Sequence, residues 1–245
     1  MLKKRKEMFV LIGFTIMFCI QAYGSLLEDG FESVPATPDF TGDYDPDSSV
    51  WETGEDYASS IMVFSKTTSG AETSWIHSGN QAVRFKGAGA RQLSASYAPQ
   101  TSVIVTFQAY IPDINKGFRT LNFNLRNSTG TLIGPNLSFY DQTIKYHDGS
   151  NWYDITNFVT DRYAEVTVYA DAATKKFTLK YDGVLYDNGG AGYDFYGTPG
   201  NLGQIYFSFS QNYREAYLDD ILVDVPEPAT FGLLILGMFG LIRKK

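Results

Sequence analysis

Strict alternation of apolar and polar residues is the feature of this sequence that most constrains its fold. Apolar side chains occupy every second position in four segments: Val103 to Ala109, Leu121 to Leu125, Val166 to Val168 and Ile205 to Phe209. Successive side chains of a β-strand point to opposite faces, so this period of two predicts strands with one apolar face. Between residues 25 and 224 no stretch shows a convincing 3.6-residue apolar period with helix caps. The sequence therefore predicts an all-β domain of half-buried antiparallel strands.

Two Asp-Gly pairs mark tight turns between predicted strands. Asp148-Gly149 lies between the predicted strands Thr143–His147 and Asn151–Ile155, and Asp182-Gly183 follows the predicted strand Lys176–Tyr181. Asp-Gly readily adopts the positive φ angles of a type I′ hairpin turn. Many short strands joined by such turns indicate a two-sheet antiparallel sandwich.

The first 24 residues have the three parts of a secretory signal peptide. A basic cluster, Lys3–Lys6, precedes an apolar run from Met8 to Ile20, and Ala22-Tyr23-Gly24 is a small-x-small cleavage site. Cys19, the only cysteine, lies inside this segment. We expect signal cleavage to leave a mature chain without cysteine, which core burial must stabilise in place of disulfides.

Residues 225–245 consist of three blocks in a fixed order. Val225-Pro226-Glu227-Pro228 is followed by an uncharged apolar run, Ala229–Ile242, and by the basic cluster Arg243-Lys244-Lys245. On length alone the apolar run could be a buried C-terminal helix or a short transmembrane helix. The order of the blocks resembles the PEP-CTERM sorting tail of bacterial exported proteins. This resemblance implies that the tail enters the membrane as a helix before processing and is recognised by an exosortase-type sorting enzyme.

The two ends divide the chain into a signal peptide (residues 1–24), a domain (residues 25–224) and a sorting tail with its transmembrane helix (residues 225–245). Basic clusters favour the cytoplasmic side of a membrane, so before processing both ends would lie there and the domain outside. We therefore expect an exported protein of the cell envelope, the cell surface or the extracellular matrix.

Between its two ends the chain is strongly acidic. Residues 25–226 carry 25 acidic and 13 basic side chains, a net charge of −12 with His neutral. A surface of this charge disfavours nucleic acid and anionic lipid as partners, and it favours divalent cations. We expect no nucleic acid partner.

Four short stretches resemble the concanavalin A-like (laminin-G-like) jelly-roll domains and related carbohydrate-binding sandwich modules. They are Asp29-Gly30-Phe31-Glu32-Ser33 and the segments 78–85, 179–185 and 216–223. The resemblance covers most of residues 25–224 and implies a two-sheet jelly roll. Residues 34–75 match no pattern, so the number of strands there is not predicted.

The sequence carries no catalytic motif that we recognise. Jelly-roll glycosidases would have acidic residues at alternate positions of one strand, whereas Asp219 and Asp220 are adjacent and should point to opposite faces of a strand. His77 and His147 are the only histidines, and each is expected to be a polar loop residue. A polysaccharide lyase could still use Tyr, Arg and Asn on a concave sheet, so an enzyme stays the alternative hypothesis.

Calcium is the one cofactor that the resemblance implies. In the similar sandwich modules the first and last strands share a structural calcium, which here would be held by Glu32 and Asp220 with Asp29 nearby. Asp43-x-Asp45-x-Asp47 is a second candidate, although its sixth position is Ser48 and its twelfth is Gly54. Solvated acidic surface is the competing interpretation of both.

Carbohydrate binding would use aromatic faces against sugar rings and amide or guanidinium groups against hydroxyls. The candidate ligand-binding residues are Trp51, Trp75 and Trp152, interpreted as loop or loop-edge aromatics, and Asn122, Asn124 and Arg126, which with Gln108 could line a concave face. Ordinary rim and core residues of a sandwich would give the same composition. The sequence therefore predicts a non-catalytic surface or matrix protein with polysaccharide as its candidate ligand, and a secreted glycan-cleaving enzyme as the alternative.

Overall fold

The computed structural model describes residues 25–32, 36, 50–53, 61–86, 91–113, 119–209 and 215–226. The signal peptide, the acidic loop Asp43-x-Asp45-x-Asp47 and the tail from Glu227 to Lys245 lie outside these residues. None of the helical structure within the described ranges is long and apolar enough to cross a membrane.

The described chain forms a two-sheet antiparallel sandwich, as the alternation predicts. The larger sheet has nine strands, in the order β13-β12-β11-β6-β16-β4-β3, with β1 paired to β16 and β14 paired to β12. Its strands are β1 (Leu27–Asp29), β3 (Ile61–Ser65), β4 (Gln81–Lys86), β6 (Ser102–Tyr110), β11 (Tyr163–Asp171), β12 (Lys176–Tyr181), β13 (Val184–Tyr186), β14 (Tyr193–Asp194) and β16 (Glu215–Asp224).

The smaller sheet has seven strands in the order β10-β9-β8-β7-β15-β5-β2. They are β2 (Trp51–Thr53), β5 (Arg91–Gln100), β7 (Arg119–Arg126), β8 (Ile133–Tyr140), β9 (Thr143–His147), β10 (Trp152–Asn157) and β15 (Leu202–Phe209). A 3-10 helix, Thr73–Trp75, lies between β3 and β4. β2 and β3 are the strands that the structure describes within residues 34–75, where the sequence left the number of strands undecided.

The core lies between the sheets and is built from the apolar positions of each alternating segment. Phe107 of β6 packs against Phe123 of β7 and Phe207 of β15, with ring centres 5.2 and 5.1 Å apart. All three rings are fully buried, and burying such a side chain stabilises the fold by about 1.5–3 kcal/mol. The outward positions of the same strands are free to carry polar side chains.

The two Asp-Gly pairs form turns of different length. Tyr181 pairs with Val184, so Asp182 and Gly183 alone close that hairpin, with φ angles of 49° and 83°, as expected for a type I′ turn. The other hairpin pairs His147 with Trp152, which leaves a four-residue loop, residues 148–151. There the Asp148 carboxylate accepts the N–H groups of Ser150 and Asn151, an arrangement that stabilises the longer loop.

A β-bulge in β16 corrects the expectation that Asp219 and Asp220 point to opposite faces. The register of β16 against β6 shifts between Asp219 and Leu222, and Asp220 has a φ of 48°. The extra residue leaves Ile221 buried in the core and brings both carboxylates close to Gly30. Strict alternation therefore fails at this one place in the strand.

Residues 66–80, which join β3 to β4, form an arm over the outer face of the nine-stranded sheet. Between the arm and the sheet lies a second apolar cluster, to which the arm contributes Ile76 and the strands contribute Phe64, Ala82, Tyr110 and Tyr217. The Trp75 ring stacks on Tyr217 with centres 5.1 Å apart, and the Tyr163 hydroxyl donates to the carbonyl oxygen of Trp75. The arm thus covers part of a sheet face that would otherwise be exposed.

Candidate functional site

The outward face of the seven-stranded sheet, here called the polar face, carries a row of side chains that runs across the strands. Strand register places these residues side by side: Glu52, Ser94, Tyr206, Asn124 and Asn136. The row continues from Asn136 into β9 and β10. Leu137 pairs with Tyr146, so the next position of this antiparallel pair places Asn136 opposite His147. His147 in turn pairs with Trp152. At about 4.8 Å per strand the row is roughly 29 Å long. It is long enough to follow an extended chain of sugars.

A second row runs parallel to the first. It contains Gln92, Ser208, Asn122, Ser138, Lys145 and Asp154. The Asn122 amide donates to the Ser208 hydroxyl over 3.3 Å, and Lys145 bridges to Asp154 over 2.8 Å. Ser138 is fully buried, and its hydroxyl has no hydrogen-bond partner among the described residues. Such an unpaired polar atom costs stability by about 1–3 kcal/mol.

Arg126 and Tyr206 form a charged and aromatic pair near the centre of the polar face. The guanidinium carbon lies 3.4 Å from the centre of the tyrosine ring. Burial raises the pKa of Tyr206 and Arg126 opposes that rise, so the phenol stays neutral near pH 7. The Nε atom of Arg126 is buried and has no partner in the described chain. The pair therefore places a cation and an aromatic ring side by side near the centre of the polar face.

Three aromatic side chains stand at the β9–β10 end of the polar face. The His147 ring lies 4.8 Å from Trp152 and 4.9 Å from Tyr196, which is 40% exposed. Gly149 lets the hairpin loop approach this group, because a Cβ at that position would lie 2.4 Å from the Tyr196 carbonyl oxygen. We call His147, Trp152 and Tyr196 the aromatic rim.

The structure brings together only part of the predicted ligand-binding set. Asn122, Asn124 and Arg126 share the polar face, with Trp152 at its end, although Asn124 is only 6% exposed. The sequence missed Ser138, Asn136 and Tyr206 as their neighbours. Tyr206 follows directly from the alternation of Ile205 and Phe207, whereas the strand register that places Ser138 and Asn136 beside it is tertiary information.

Three of the predicted candidates lie elsewhere in the fold. Trp51 was wrong as a surface aromatic, because β2 pairs with β5 and buries the indole completely in the core. Trp75 is half-buried on the outer side of the nine-stranded sheet, where it also contacts the Arg84 guanidinium. Gln108 belongs to the nine-stranded sheet as well, opposite Glu165 and Asp219, and so cannot extend the row of Asn122.

The predicted metal ligands meet at the junction of β1 and β16, which do pair side by side. Glu32 accepts the backbone N–H groups of Asn80 and Gln81 over 2.6 and 2.9 Å. Asp29 accepts the N–H of Phe31 and, over 2.7 Å, the indole N–H of Trp51. These carboxylates therefore hold the end of the arm and the buried tryptophan to the sandwich.

Asp219 and Asp220 complete the same junction from β16. Asp219 is fully buried and accepts the N–H groups of His77 and Ser78 over 2.9 and 3.1 Å. Asp220 accepts the Ser78 hydroxyl and contacts His77 Nδ1 at 2.6 Å. Burial, with a smaller contribution from the charge of Asp220, raises the pKa of Asp219 to about 6, and the N–H donors oppose this rise. We call Asp29, Glu32, Asp219 and Asp220 the carboxylate clasp.

Several oxygens of the carboxylate clasp are already engaged in hydrogen bonds. Calcium takes roughly six to eight oxygen ligands, whereas here carboxylate oxygens of Asp29, Glu32 and Asp219 accept N–H groups. In the described part of the chain, no three His, Cys, Asp or Glu side chains are grouped so that they could hold a metal ion. Calcium binding by Asp29, Glu32 and Asp220 stays a prediction, and the arrangement gives these carboxylates a structural role.

Asp219 should make stability depend on pH. Its ordinary pKa is 3.8 and its folded value is about 6, so between these values the folded state binds the proton more tightly than the unfolded chain. The free energy of unfolding therefore falls as the pH rises from about 4 to 7, by about 2 kcal/mol for this group. Urea unfolding at pH 4.5 and pH 7.5 should show this loss in the native protein relative to Asp219→Asn. If the free energies of unfolding of the two proteins differ by the same amount at both pH values, the prediction for Asp219 is wrong.

Residues 224–245 match the PEP-CTERM protein-sorting motif. This match confirms the resemblance seen in the three-block tail, and it marks the chain as an exported protein of the cell envelope or surface. The motif also implies processing by an exosortase-type enzyme. No match is found among curated proteins.

Solved structures share the fold at low sequence identity. "Cellulose induced protein, Cip1" aligns with a TM-score of 0.55 and 14% identity over 80% of this chain and 96% of its own. A sialidase aligns with a TM-score of 0.51 and 11% identity over 70% of this chain, which spans only 17% of the sialidase. The carbohydrate-binding module CBM66 from Bacillus subtilis gives 0.41 at 13% identity over 58% of this chain and 86% of its own, too low a score to carry an argument. The two-sheet sandwich is thus a fold that this chain shares with proteins of different names, and function must be argued from the site.

Proposed function

We propose that the mature protein is a non-catalytic component of the cell surface or extracellular matrix that binds polysaccharide along the polar face. The row of hydroxyl, amide and phenol groups from Ser94 to Asn136, continued to Trp152, is the observation that carries this proposal. Amides and hydroxyls both donate and accept hydrogen bonds, as sugar hydroxyls do. A surface of this kind suits a ligand that presents many hydroxyls at regular intervals.

Charge favours a neutral polysaccharide over an acidic one. Residues 25–226 have a net charge of −12, which repels polyanions at long range. Among the cationic side chains described on the polar face, Lys145 is neutralised by Asp154, whereas Arg126 lies over the Tyr206 ring and keeps its charge. The aromatic rim adds flat apolar surface at one end, where a sugar ring can stack.

The two carboxylates described on the strands of the polar face are too far apart for glycosidase chemistry. Glycosidases hold two carboxyl groups about 5–9.5 Å apart across the scissile bond. Glu52 and Asp154 lie on the two edge strands of this sheet, six strand spacings or roughly 29 Å apart. Asp219 has the raised pKa of a general acid, but it is fully buried in the other sheet and cannot reach a polymer. These positions support a binding role.

Affinity electrophoresis of the mature protein tests the proposal. Native gels would contain hydroxyethyl cellulose, glucomannan or mixed-linkage glucan as neutral polysaccharides, and alginate as the acidic one. We expect retardation in at least one neutral gel, weaker retardation in alginate, and no new reducing ends after prolonged incubation. Release of reducing or unsaturated ends would establish the glycan-cleaving enzyme instead. Free migration in every gel would leave a passive surface component.

A further inference from the structure

The sorting motif begins inside the folded domain, with no linker before it. The motif match starts at Asp224, the last residue of β16, which pairs with Ile104 of β6. The Asp224 carboxylate accepts the N–H of Val225 over 2.7 Å, so the chain direction is held as it leaves the sheet. Pro226, the first proline of the motif, forms part of the wall of a surface groove.

This groove, here called the exit groove, has a volume of about 490 Å³ and lies on the outer side of the nine-stranded sheet. Its walls include Tyr169, Lys176, Phe177, Gly190, Gly192 and Pro226. Tyr169 and Asp224 both pair with Ile104, from opposite sides, so they are two strands or about 10 Å apart. Tyr169 is 39% exposed, and around Gly190 there is open space where a Cβ would stand. The groove therefore presents an accessible aromatic ring and bare backbone beside the motif.

The other processed end of the domain emerges at the same place. Leu27 pairs with Val223, and the N–H of Leu26 donates to the Val223 carbonyl oxygen over 2.8 Å. Ser25, which follows the predicted signal cleavage site, is thus close to Val225. Both ends of the mature domain lie at one pole of the sandwich, beside the exit groove.

We propose that the exit groove is a contact surface for the sorting enzyme that processes the tail. A chain advances at most about 3.6 Å per residue, so Glu227 and Pro228 lie within about 4 and 7 Å of Pro226. An enzyme that grips Pro226-Glu227-Pro228 must then meet the groove walls. We expect the enzyme to present an apolar projection that fits between Tyr169 and the loop that contains Gly190 and Gly192. This inference rests on the sorting motif and is independent of the proposed glycan binding.

The apolar part of the tail is a less suitable occupant. To enter the exit groove, Ala229 and the residues after it would have to turn back within two residues of Pro226. A proline disfavours the helical conformation of the residue before it, so Pro228 does not favour a helical reversal at this point of the sequence.

Processing kinetics in a host with an exosortase-type enzyme test the proposal on the full chain. One change is Tyr169→Ser, and the other is an insertion of eight Gly and Ser residues between Asp224 and Val225. Tyr169→Ser should slow loss of the tail about fivefold or more in the chain of native length, because it removes the main apolar contact. The insertion alone should slow processing to a similar degree. Tyr169→Ser should then have no further effect in the inserted chain, since the groove no longer reaches the enzyme.

Tyr153→Ser is the matched control, because Tyr153 is 43% exposed but belongs to the seven-stranded sheet. It should be processed at the native rate, and melting of the released products should show that each variant is folded. An unchanged rate for Tyr169→Ser at native length would overturn the proposal. Faster processing after the insertion would also overturn the proposal, because it would mean that the domain hinders access of the enzyme to the tail. Faster processing of Tyr169→Ser would mean that the tail occupies the groove, and slowing that persists after the insertion would mean an effect on folding or export.

Discussion

Trp51→Ala should cost the mature protein about 3–5 kcal/mol of unfolding free energy, the largest single-residue effect on stability that we expect. The indole is fully buried, and its ring centre lies 5.3 Å from that of Phe31. Its N–H donates to Asp29 over 2.7 Å, so truncation leaves a cavity and deprives a clasp carboxylate of a donor. The midpoint of thermal melting should fall by about 10 °C for a domain of this size.

Two further variants separate the packing of Trp51 from its hydrogen bond. Trp51→Phe keeps an aromatic ring in the core and removes the N–H, so it should cost about 1–3 kcal/mol. Trp152→Ala removes a second tryptophan from the aromatic rim, where the side chain is only half-buried, and should leave melting nearly unchanged. If Trp51→Ala melts within two or three degrees of the native protein, β2 contributes little to the core and the assignment of Trp51 is refuted.

Arg126→Met should weaken retention on a bound polysaccharide by about 10- to 100-fold. The guanidinium lies at the centre of the polar face, and hydrogen bonds that involve a charged group contribute about 1.5–3 kcal/mol. Methionine keeps an unbranched apolar stem over Tyr206, so the melting temperature should change little. Retardation in affinity gels and melting of the same samples measure the two effects together.

Arg162→Met is the matched control for this change. Arg162 is 51% exposed and pairs with Asp182 at the turn after β12, on the other sheet. Removing this surface ion pair should alter both stability and retention only slightly.

Trp152→Ala should weaken retention, because it removes a ring of the aromatic rim. Retention that survives Arg126→Met and Trp152→Ala but is lost in Trp75→Ala would move the binding site to the outer side of the nine-stranded sheet.

Much of the fold was predictable because it depends on local periodicity. The alternation around Phe107, Phe123 and Phe207 predicted strands that the structure confirms, and the turn at Asp182-Gly183 has the expected type. The prediction failed at Asp219 and Asp220, where one inserted residue reverses the alternation. A bulge of this kind depends on pairing with β6 and on the N–H groups of the arm, neither of which is visible in the order of residues.

The candidate site was predicted only in part, for a related reason. Asn122, Asn124 and Arg126 share a face because they alternate on one strand, which sequence alone can show. Whether a given tryptophan is in the core or at the surface depends on which strand pairs with its own. Trp51, Trp75 and Trp152 were treated alike, but β2 buries the first, the arm holds the second, and the end of a hairpin presents the third.

The sequence by itself determined the strands, the acidic charge and the sorting motif, because each depends on residues close together in the chain. The tertiary structure decided the rows of the polar face, the carboxylate clasp and the position of the exit groove. In the row from Glu52 to Trp152, neighbours on adjacent strands are separated by up to 112 residues, as Ser94 and Tyr206 are, and only strand register brings them within about 5 Å. Register is set by the packing of whole sheets against each other, so no local pattern could have specified it.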